Sequence, residues 1–167
     1  TPRPVRGRSR LRTGSESAVQ LTAVIMIRFF SSEEEERIIR AIREAERNTS
    51  GEIRVHLEHK CQGDTMQAAH RTFRQLRMNR TKLENGVLLF LVPERKEFTI
   101  LGDKGINNIV PEHFWEDVRD LMQQHFRMGA FCDGVTAAIA LVGEKLKVFF
   151  PAEKEEDNEL PDDISYS

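Results

Sequence analysis

The stretch "NGVLLFLVP", residues 85–93, limits the possible folds of this chain more than any other feature. Its apolar residues run without a break from Val87 to Val92, between the turn-forming pair Asn85-Gly86 and Pro93. The run is too short for a buried helix, and it lacks the alternation of a strand that faces water on one side. It therefore predicts a central β-strand that is covered on both faces.

Two further strands are predicted beside this run. In "EIRVHL", residues 52–57, apolar residues alternate with polar ones, which indicates a half-buried strand. After the polar turn "PERKE", the segment "FTILG" returns as the second arm of a hairpin. A strand, a crossover helix and a second strand normally pair in parallel, while a short turn makes the third strand antiparallel. The expected sheet is small and mixed.

Helical spacing of apolar residues predicts the remaining elements. Ser31 and Ser32 each precede an acid by three residues, which is the spacing of a capping box, and predict a helix over about 33–48. A second helix is expected over about 64–78, a third from Pro111, and a last amphipathic helix up to Pro151. The predicted order is α-β-α-β-β-α-α.

Composition and charge narrow the function classes. The 167 residues are 39% hydrophobic and 31% charged, which is typical of one soluble domain. Binding to nucleic acid requires a concentrated basic face, and a net charge of -2 gives no reason to expect one. We therefore expect no nucleic acid partner. No apolar run is long enough to cross a bilayer, and the only two cysteines, Cys61 and Cys132, fit a reducing compartment. The expected location is cytoplasmic.

Charge divides the chain into three parts. Residues 1–28 hold six Arg and one Glu, and we expect an Arg-rich leader that lies outside the fold. Residues 29–150 form the expected domain. Residues 151–167 hold seven acids and one Lys, which favours a solvated acidic C-terminal tail. Its segment "ELPDDIS" could instead dock on the domain, since Leu160 and Ile164 are four residues apart.

The predicted topology brings three loops to one edge of the sheet. Gly51-Glu52, Glu84-Asn85-Gly86 and Gly102-Asp103-Lys104-Gly105 should meet there, because the third strand ends where the first two begin. Oxygen donors on loops suit a hard cation such as Ca²⁺ or Mg²⁺. The glycines allow close backbone approach, and the nearby helix start would favour an anion. The alternative is a plain turn, because Asp and Gly are both common in turns.

The segments "NGVLLFLVPERKEFTILGDKGINNIVPEHFW" and "HFRMGAFCDGVTAAIALVGEKL" resemble the TPM domain family over about residues 29–150. The ending "NELPDDIS" is similar to that of short bacterial single-domain members. The resemblance implies a three-layer α/β/α sandwich and divalent-cation binding. It also implies, for some members, acid phosphatase activity of the kind proposed for thylakoid relatives, and for others an accessory role in membrane complexes such as photosystem II repair.

The resemblance also assigns positions and shows two departures. The matching residues are Glu52, Asn85, Gly86, Gly102, Asp103, Gly105, Arg127, Gly129, Asp133 and Gly134. Many members carry an Asp before the first helix, where this chain has "MIRFF", and a glycine-rich turn where it has "MNRTKLE". Both departures remove groups that a phosphatase site could use.

Two functions are therefore expected to compete. In the first, Asp103, Glu52, Glu84 and Asn85 bind Ca²⁺ or Mg²⁺ in a non-enzymatic module that acts through a protein partner, which could be associated with a membrane. In the second, the metal assists phosphoester hydrolysis at low activity, with Lys104 or Arg127 holding the phosphoryl oxygens. For Arg127 and Asp133 a structural ion pair or a helix cap is the simpler role.

Overall fold

The apolar run forms β2 (Gly86–Val92), an inner strand whose residues are all buried. The computed structural model describes residues 29–152 and 163–167. Within them the sheet also contains β1 (Glu52–Leu57), β3 (Glu97–Gly102) and β4 (Ile164–Tyr166), in the order β3-β2-β1-β4. β2 is parallel to β1 and antiparallel to β3, so the predicted mixed pairing is confirmed. The Arg-rich leader, 1–28, and most of the acidic tail fall outside these residues.

Helices lie on both faces of this sheet, in the three layers that the family resemblance implied. Side chains of α1, α4 and α5 pack against Val87, Leu89 and Leu91 of β2. Side chains of α2 and of the following 3₁₀ turn pack against Leu88, Phe90 and Val92. The helices are α1 (Ser32–Glu46), α2 (Thr65–Gln75), α3 (Lys104–Asn107), α4 (Glu116–Arg127) and α5 (Phe131–Phe149), with 3₁₀ turns at Met78–Arg80 and Pro93–Arg95.

Local signals set the beginnings of the first two helices. The Ser31 side chain accepts a hydrogen bond from the Glu34 amide at 3.1 Å, and the Ser31 amide donates to Glu34 Oε1 at 2.9 Å, which completes the predicted capping box. Asp64 caps α2 by accepting from the Gln67 amide at 3.1 Å.

None of the helices that the structure describes is long and apolar enough to cross a membrane. The two cysteines are not joined in a disulfide.

The third predicted helix begins later than Pro111. Residues 112–115 form turns, and α4 starts at Glu116. His113 has a φ of 64°, which is incompatible with a continuous right-handed helix through this segment. A separate short helix, α3, follows directly after Asp103, where the sequence predicted only a loop.

The largest difference from prediction is β4. Its three residues pair in parallel with β1, Ile164 opposite Val55 and Tyr166 opposite Leu57. The Ser167 amide donates to the Leu57 carbonyl at 3.1 Å, and the His59 amide donates to the Ser167 carbonyl at 3.1 Å. Ile164 is therefore docked on the domain rather than solvated, while Leu160, the other apolar residue of the docked alternative, lies outside the described residues.

A buried imidazole joins β4 to β1. His56 is 3% exposed and stacks on the Phe90 ring at 5.5 Å. Its Nδ1 lies 2.8 Å from Ser165 Oγ, while its Nε2 lies 2.7 Å from Ser167 Oγ and 3.0 Å from Glu58 Oε1. Burial lowers the pKa of His56, and Glu58 only partly opposes the shift. The fold therefore favours the neutral ring.

We expect the attachment of β4 to weaken in acid. Because the pKa of His56 is lower folded than unfolded, the unfolded chain binds more protons, so this stabilisation is complete above pH ~6.5 and is lost as pH falls through the folded pKa. Hydrogen exchange of the Tyr166 and Ser167 amides should accelerate from pH 7 to 5, after correction for intrinsic rates, more than that of Leu89. His56→Asn should abolish the difference, and His70→Asn, at an exposed position, should retain it. Equal pH dependence in all three proteins would contradict this role.

Candidate functional site

The three loops lie side by side at one edge of the sheet, where topology predicted them. Glu52 is opposite Gly86 in the β1–β2 pair, and the Glu52 amide donates to the Asn85 carbonyl at 3.3 Å. Gly102 is opposite Val87 in the β2–β3 pair, and the Asp103 amide donates to the Gly86 carbonyl at 3.0 Å. Backbone pairing therefore fixes the positions of Glu52, Gly86 and Asp103 in one row.

Asp103 is the most unusual side chain of this row. It is the N-cap of α3 and accepts a hydrogen bond from the Lys104 amide at 2.8 Å through Oδ1. Its other oxygen, Oδ2, is buried and has no hydrogen-bond partner within the described part of the chain. Burial raises the pKa of Asp103, the negative charge of Glu84 raises it further, and the Lys104 amide opposes both. A buried acceptor without a donor is costly, so this oxygen is suited to a cation or a proton.

Glu84 and Lys104 form the exposed rim of the site. Glu84 has a φ of 52°, and its carboxylate lies 3.3 Å from Lys104 Nζ. The Lys104 side chain is largely in water and the Glu84 side chain partly so, and this ion pair therefore contributes at most about 1 kcal/mol. Lys104 can therefore release Glu84 to another cation at little cost.

Gly105 holds the α3 turn against the loop that carries Glu84. A Cβ at this position would lie 2.2 Å from the Leu83 carbonyl oxygen and 2.4 Å from that of Glu84. The loop 83–84 can approach α3 this closely only because residue 105 has no side chain. The second glycine of "GDKG", Gly105, is therefore required by the close packing of α3 against this loop.

Glu52 and Asn85 are buried inside the edge and do not extend into the rim. Asn85 is 1% exposed, its Nδ2 donates to Ser50 Oγ at 3.2 Å, and its backbone amide donates to Thr81 Oγ1 at 3.3 Å. Glu52 is 4% exposed, and Met78 packs on Gly86, which lies between Glu52 and Asp103 in the row. Over residues 29–152 and 163–167, no three His, Cys, Asp or Glu side chains are grouped closely enough to hold a metal ion.

The two remaining predicted residues lie away from Asp103. Asp133, in the first turn of α5, pairs with Arg37 of α1 at 2.7 Å, and this contact lowers the pKa of Asp133. Asp133 is therefore in an ion pair, but its partner is not Arg127. Arg127 is exposed at the end of α4 and lines a groove at the hairpin end of β3, whereas Asp103 follows the other end.

Sequence reasoning missed that groove and the His56 contacts. The groove depends on the relative position of α2, β3 and α4, for which the chain carries no local motif. One feature of the sequence indicated part of the His56 contacts. Side chains alternate along β1, so His56 lies on the same face of the sheet as Phe90, its neighbour in β2. Nothing in the sequence links it to serines more than a hundred residues later.

Comparison with known proteins agrees with the layered fold. The TPM domain model matches residues 26–145, which is most of the chain. The chain belongs to the TPM domain family. No curated protein sequence matches it.

Solved structures of the family superpose on this chain. The NMR structure of the BA42 protein from the psychrophilic bacterium Bizionia argentinensis has a TM-score of 0.80 at 45% identity, over 83% of this chain and 96% of BA42. The N-terminal domain of a P. gingivalis protein gives 0.63 at 22% identity, over 77% of this chain and 85% of that one. The N-terminal domain of the cg2496 protein of Corynebacterium glutamicum gives 0.59 at 15%, over 80% and 84%. The latter two show the TPM fold alone.

We expect Gly105→Ala to separate α3 from the 83–84 loop. The added methyl group would overlap two backbone carbonyl oxygens, which cannot rotate away, so unfolding free energy should fall by about 2 kcal/mol or more. Chemical denaturation would measure the loss. Asn108→Ala, on the exposed side of α3, provides the control and should change stability by less than about 0.5 kcal/mol. Similar values for the two variants would contradict the close packing.

Proposed function

We propose that this TPM domain binds a divalent cation, Ca²⁺ or Mg²⁺, at the Asp103 edge and acts as a non-enzymatic accessory module for a protein partner. The buried, unpartnered Asp103 Oδ2 is the observation that carries the cation part. A divalent cation would satisfy that oxygen and would also relieve the repulsion between Asp103 and Glu84 that raises the pKa of Asp103.

The remaining ligands in this proposal come from the loop itself and from water. Glu84 supplies the second carboxylate once Lys104 releases it, and the carbonyls of residues 83–84 lie against Gly105 beside it. Calcium accepts backbone carbonyls and waters in a flexible shell of oxygens, and magnesium retains several waters. Two carboxylates are thus sufficient for a weak site. Glu52 and Asn85 stabilise the loops, since both are buried, the Glu52 amide donates to the Asn85 carbonyl, and Asn85 Nδ2 donates to Ser50 Oγ.

The accessory role is favoured over phosphoester hydrolysis by the placement of the cations. Hydrolysis requires positive groups on the phosphoryl oxygens beside the metal. Of the two cationic side chains considered for that task, Arg127 lies at the other end of β3, which leaves only the exposed Lys104 beside the metal. A metal at Asp103 would therefore have little help in positioning a phosphate. We place the domain in the cytoplasm, with a partner that could lie at a membrane.

A backbone amide NMR titration with Ca²⁺ and then Mg²⁺ tests the cation site. We expect saturable shifts confined to residues 84–86 and 102–105, and at least tenfold weaker binding in Asp103→Asn. Asp64→Asn is a matched control, because Asp64 is also a helix N-cap but lies at the opposite edge of the sheet, and Asn caps helices as well as Asp does. Unchanged affinity in Asp103→Asn, or no saturable shift in the native protein, would overturn the cation proposal.

The pH dependence gives an independent test. Because the folded pKa of Asp103 is raised, ionising this carboxyl costs stability as pH rises from the ordinary Asp value of about 3.9 through the folded pKa. A bound cation should remove that cost, so the gain in Tm on adding Ca²⁺ should be absent in acid and should appear as Asp103 ionises. Asp103→Asn should show no such pH-dependent gain. A gain of the same size in both proteins would place calcium elsewhere.

A further inference from the structure

The free edge of β3 is the least protected backbone of the described sheet. β3 is the outermost strand on its side, and between Phe98 and Leu101 it contains no proline and no charged residue. Proteins usually protect such edges with charges, prolines or bulges, because an open ladder pairs with other strands. This four-residue unprotected stretch of the edge is therefore a candidate binding feature.

The hydrogen-bond pattern identifies which groups are free. The Asp103 amide donates to the Gly86 carbonyl, and in an antiparallel pair every second residue directs its backbone groups toward the partner strand. The backbone groups directed toward β2 are therefore those of Leu101, Thr99 and Glu97. Phe98, Ile100 and Gly102 direct theirs outward. The Gly102 carbonyl is already used by Asn107 Nδ2 at 2.9 Å. Phe98 and Ile100 together still offer two donors and two acceptors to an added strand.

A groove follows this edge from Glu97 to Ile100. Two concavities of about 520 and 1010 Å³ share Met66, Phe98, Thr99 and Arg119 in their walls, so they are continuous along β3. Met66 of α2 forms one wall and α4 forms the other. At the hairpin end Phe29 and Phe131 are partly exposed, with ring centroids 5.3 Å apart. An extended peptide would thus find backbone partners in the floor and apolar contacts on the Met66 side.

The α4 wall determines the charge of the occupant. Arg119, Gln123 and Arg127 line the groove at intervals of four residues. The Arg127 side chain makes no hydrogen bond or ion pair among residues 29–152 and 163–167, and the Arg119 side chain contacts only Asp120 there, at 3.6 Å. The two arginines are eight residues apart on the helix, or about 12 Å, which matches about four residues of an extended strand.

The other charged side chains of the groove already have hydrogen-bond or ion-pair partners, or lie at its ends. Arg95 donates to the carbonyls of Gly63 and Cys61, at 2.6 and 2.9 Å, and lies 3.9 Å from Glu97. Asp64 caps α2, and Glu116 binds His113. The exposed Glu112 lines the Asn107 end and the exposed Lys96 the hairpin end. The α4 wall therefore presents positive charge to the middle and hairpin end of the groove.

We propose that β3 binds an extended acidic peptide of a partner protein by strand addition. Acidic side chains at positions i and i+4 would face Arg119 and Arg127, and apolar side chains at the intervening odd positions would face Met66. This deepens the accessory part of the proposed function and depends on it. It is separate from the cation part, because Arg127 and Asp103 lie at opposite ends of β3.

The probe is a synthetic peptide with the core Glu-Val-Thr-Val-Glu, blocked at both ends and titrated into the full chain by NMR and calorimetry. We expect saturable binding below about 1 mM. A double variant, Arg119→Glu with Arg127→Glu, should bind this peptide at least tenfold more weakly and should prefer a Lys-Val-Thr-Val-Lys peptide. A second double variant, Arg40→Glu with Arg71→Glu, makes the same change in net charge at exposed positions outside the groove and should bind as the native protein does.

Hydrogen exchange supplies the second measurement and requires no substitution. Peptide binding should slow exchange of the Phe98 and Ile100 amides, while those of Thr99 and Leu101 are slow with or without peptide. The proposal is overturned if the peptide shows no saturable binding, or if the Arg119→Glu, Arg127→Glu variant binds it as tightly as the native protein does. It is equally overturned if the peptide slows exchange of all β3 amides to the same extent. It is also overturned if the Phe98 and Ile100 amides are already protected from exchange in the free protein. Protection that rises with protein concentration would mean that a second copy covers the edge, and protection that does not would mean that another part of the same chain covers it. The calcium response of Asp103 is measured separately, so failure here leaves the cation proposal intact.

Discussion

Burial of β2 on both faces is the constraint on which the rest of this structure depends. A strand with apolar side chains on both faces requires a layer of helices on each side. The larger core under α1, α4 and α5 fixes the direction of β1 and β3, and the smaller core under α2 fixes the crossover between β1 and β2. Once those directions are set, the loops before β1, before β2 and after β3 must share one edge.

This dependence explains which parts of the fold could be predicted from the sequence. The run Val87–Val92, the alternation in β1 and the capping box at Ser31 are local patterns, and each gave the correct element. The α4 boundary was wrong because Pro111 is compatible with a helix start, and only the left-handed His113 shows that the chain turns there first. β4 was missed as a strand because three residues carry no period. Their stability comes from pairing with β1 and from contacts with His56, which are distant in sequence.

The candidate site was predictable in position but not in chemistry. Strand topology alone brings Asp103, Glu84 and Glu52 to one edge. It does not show that Met78 packs on Gly86, between Glu52 and Asp103. Nor does it show that Oδ2 of Asp103 is buried without a hydrogen-bond partner. Likewise, Arg127 and Asp133 are close in sequence in "RMGAFCDG", but Asp133 pairs with Arg37 of α1, whereas Arg127 lines the groove beside β3. Burial and side-chain direction are tertiary properties, which a sequence pattern does not contain.

The position of β4 has a consequence for how this domain is made. β1 and β2 can pair soon after both have left the ribosome, because only one helix separates them. The other edge of β1 stays open until residues 164–166 are synthesised, which requires all of α5 to be complete. During that interval the nascent domain presents an unpaired parallel edge as well as the edge of β3. An expression fragment that stopped at the end of the family match, residue 145, would retain both open edges permanently.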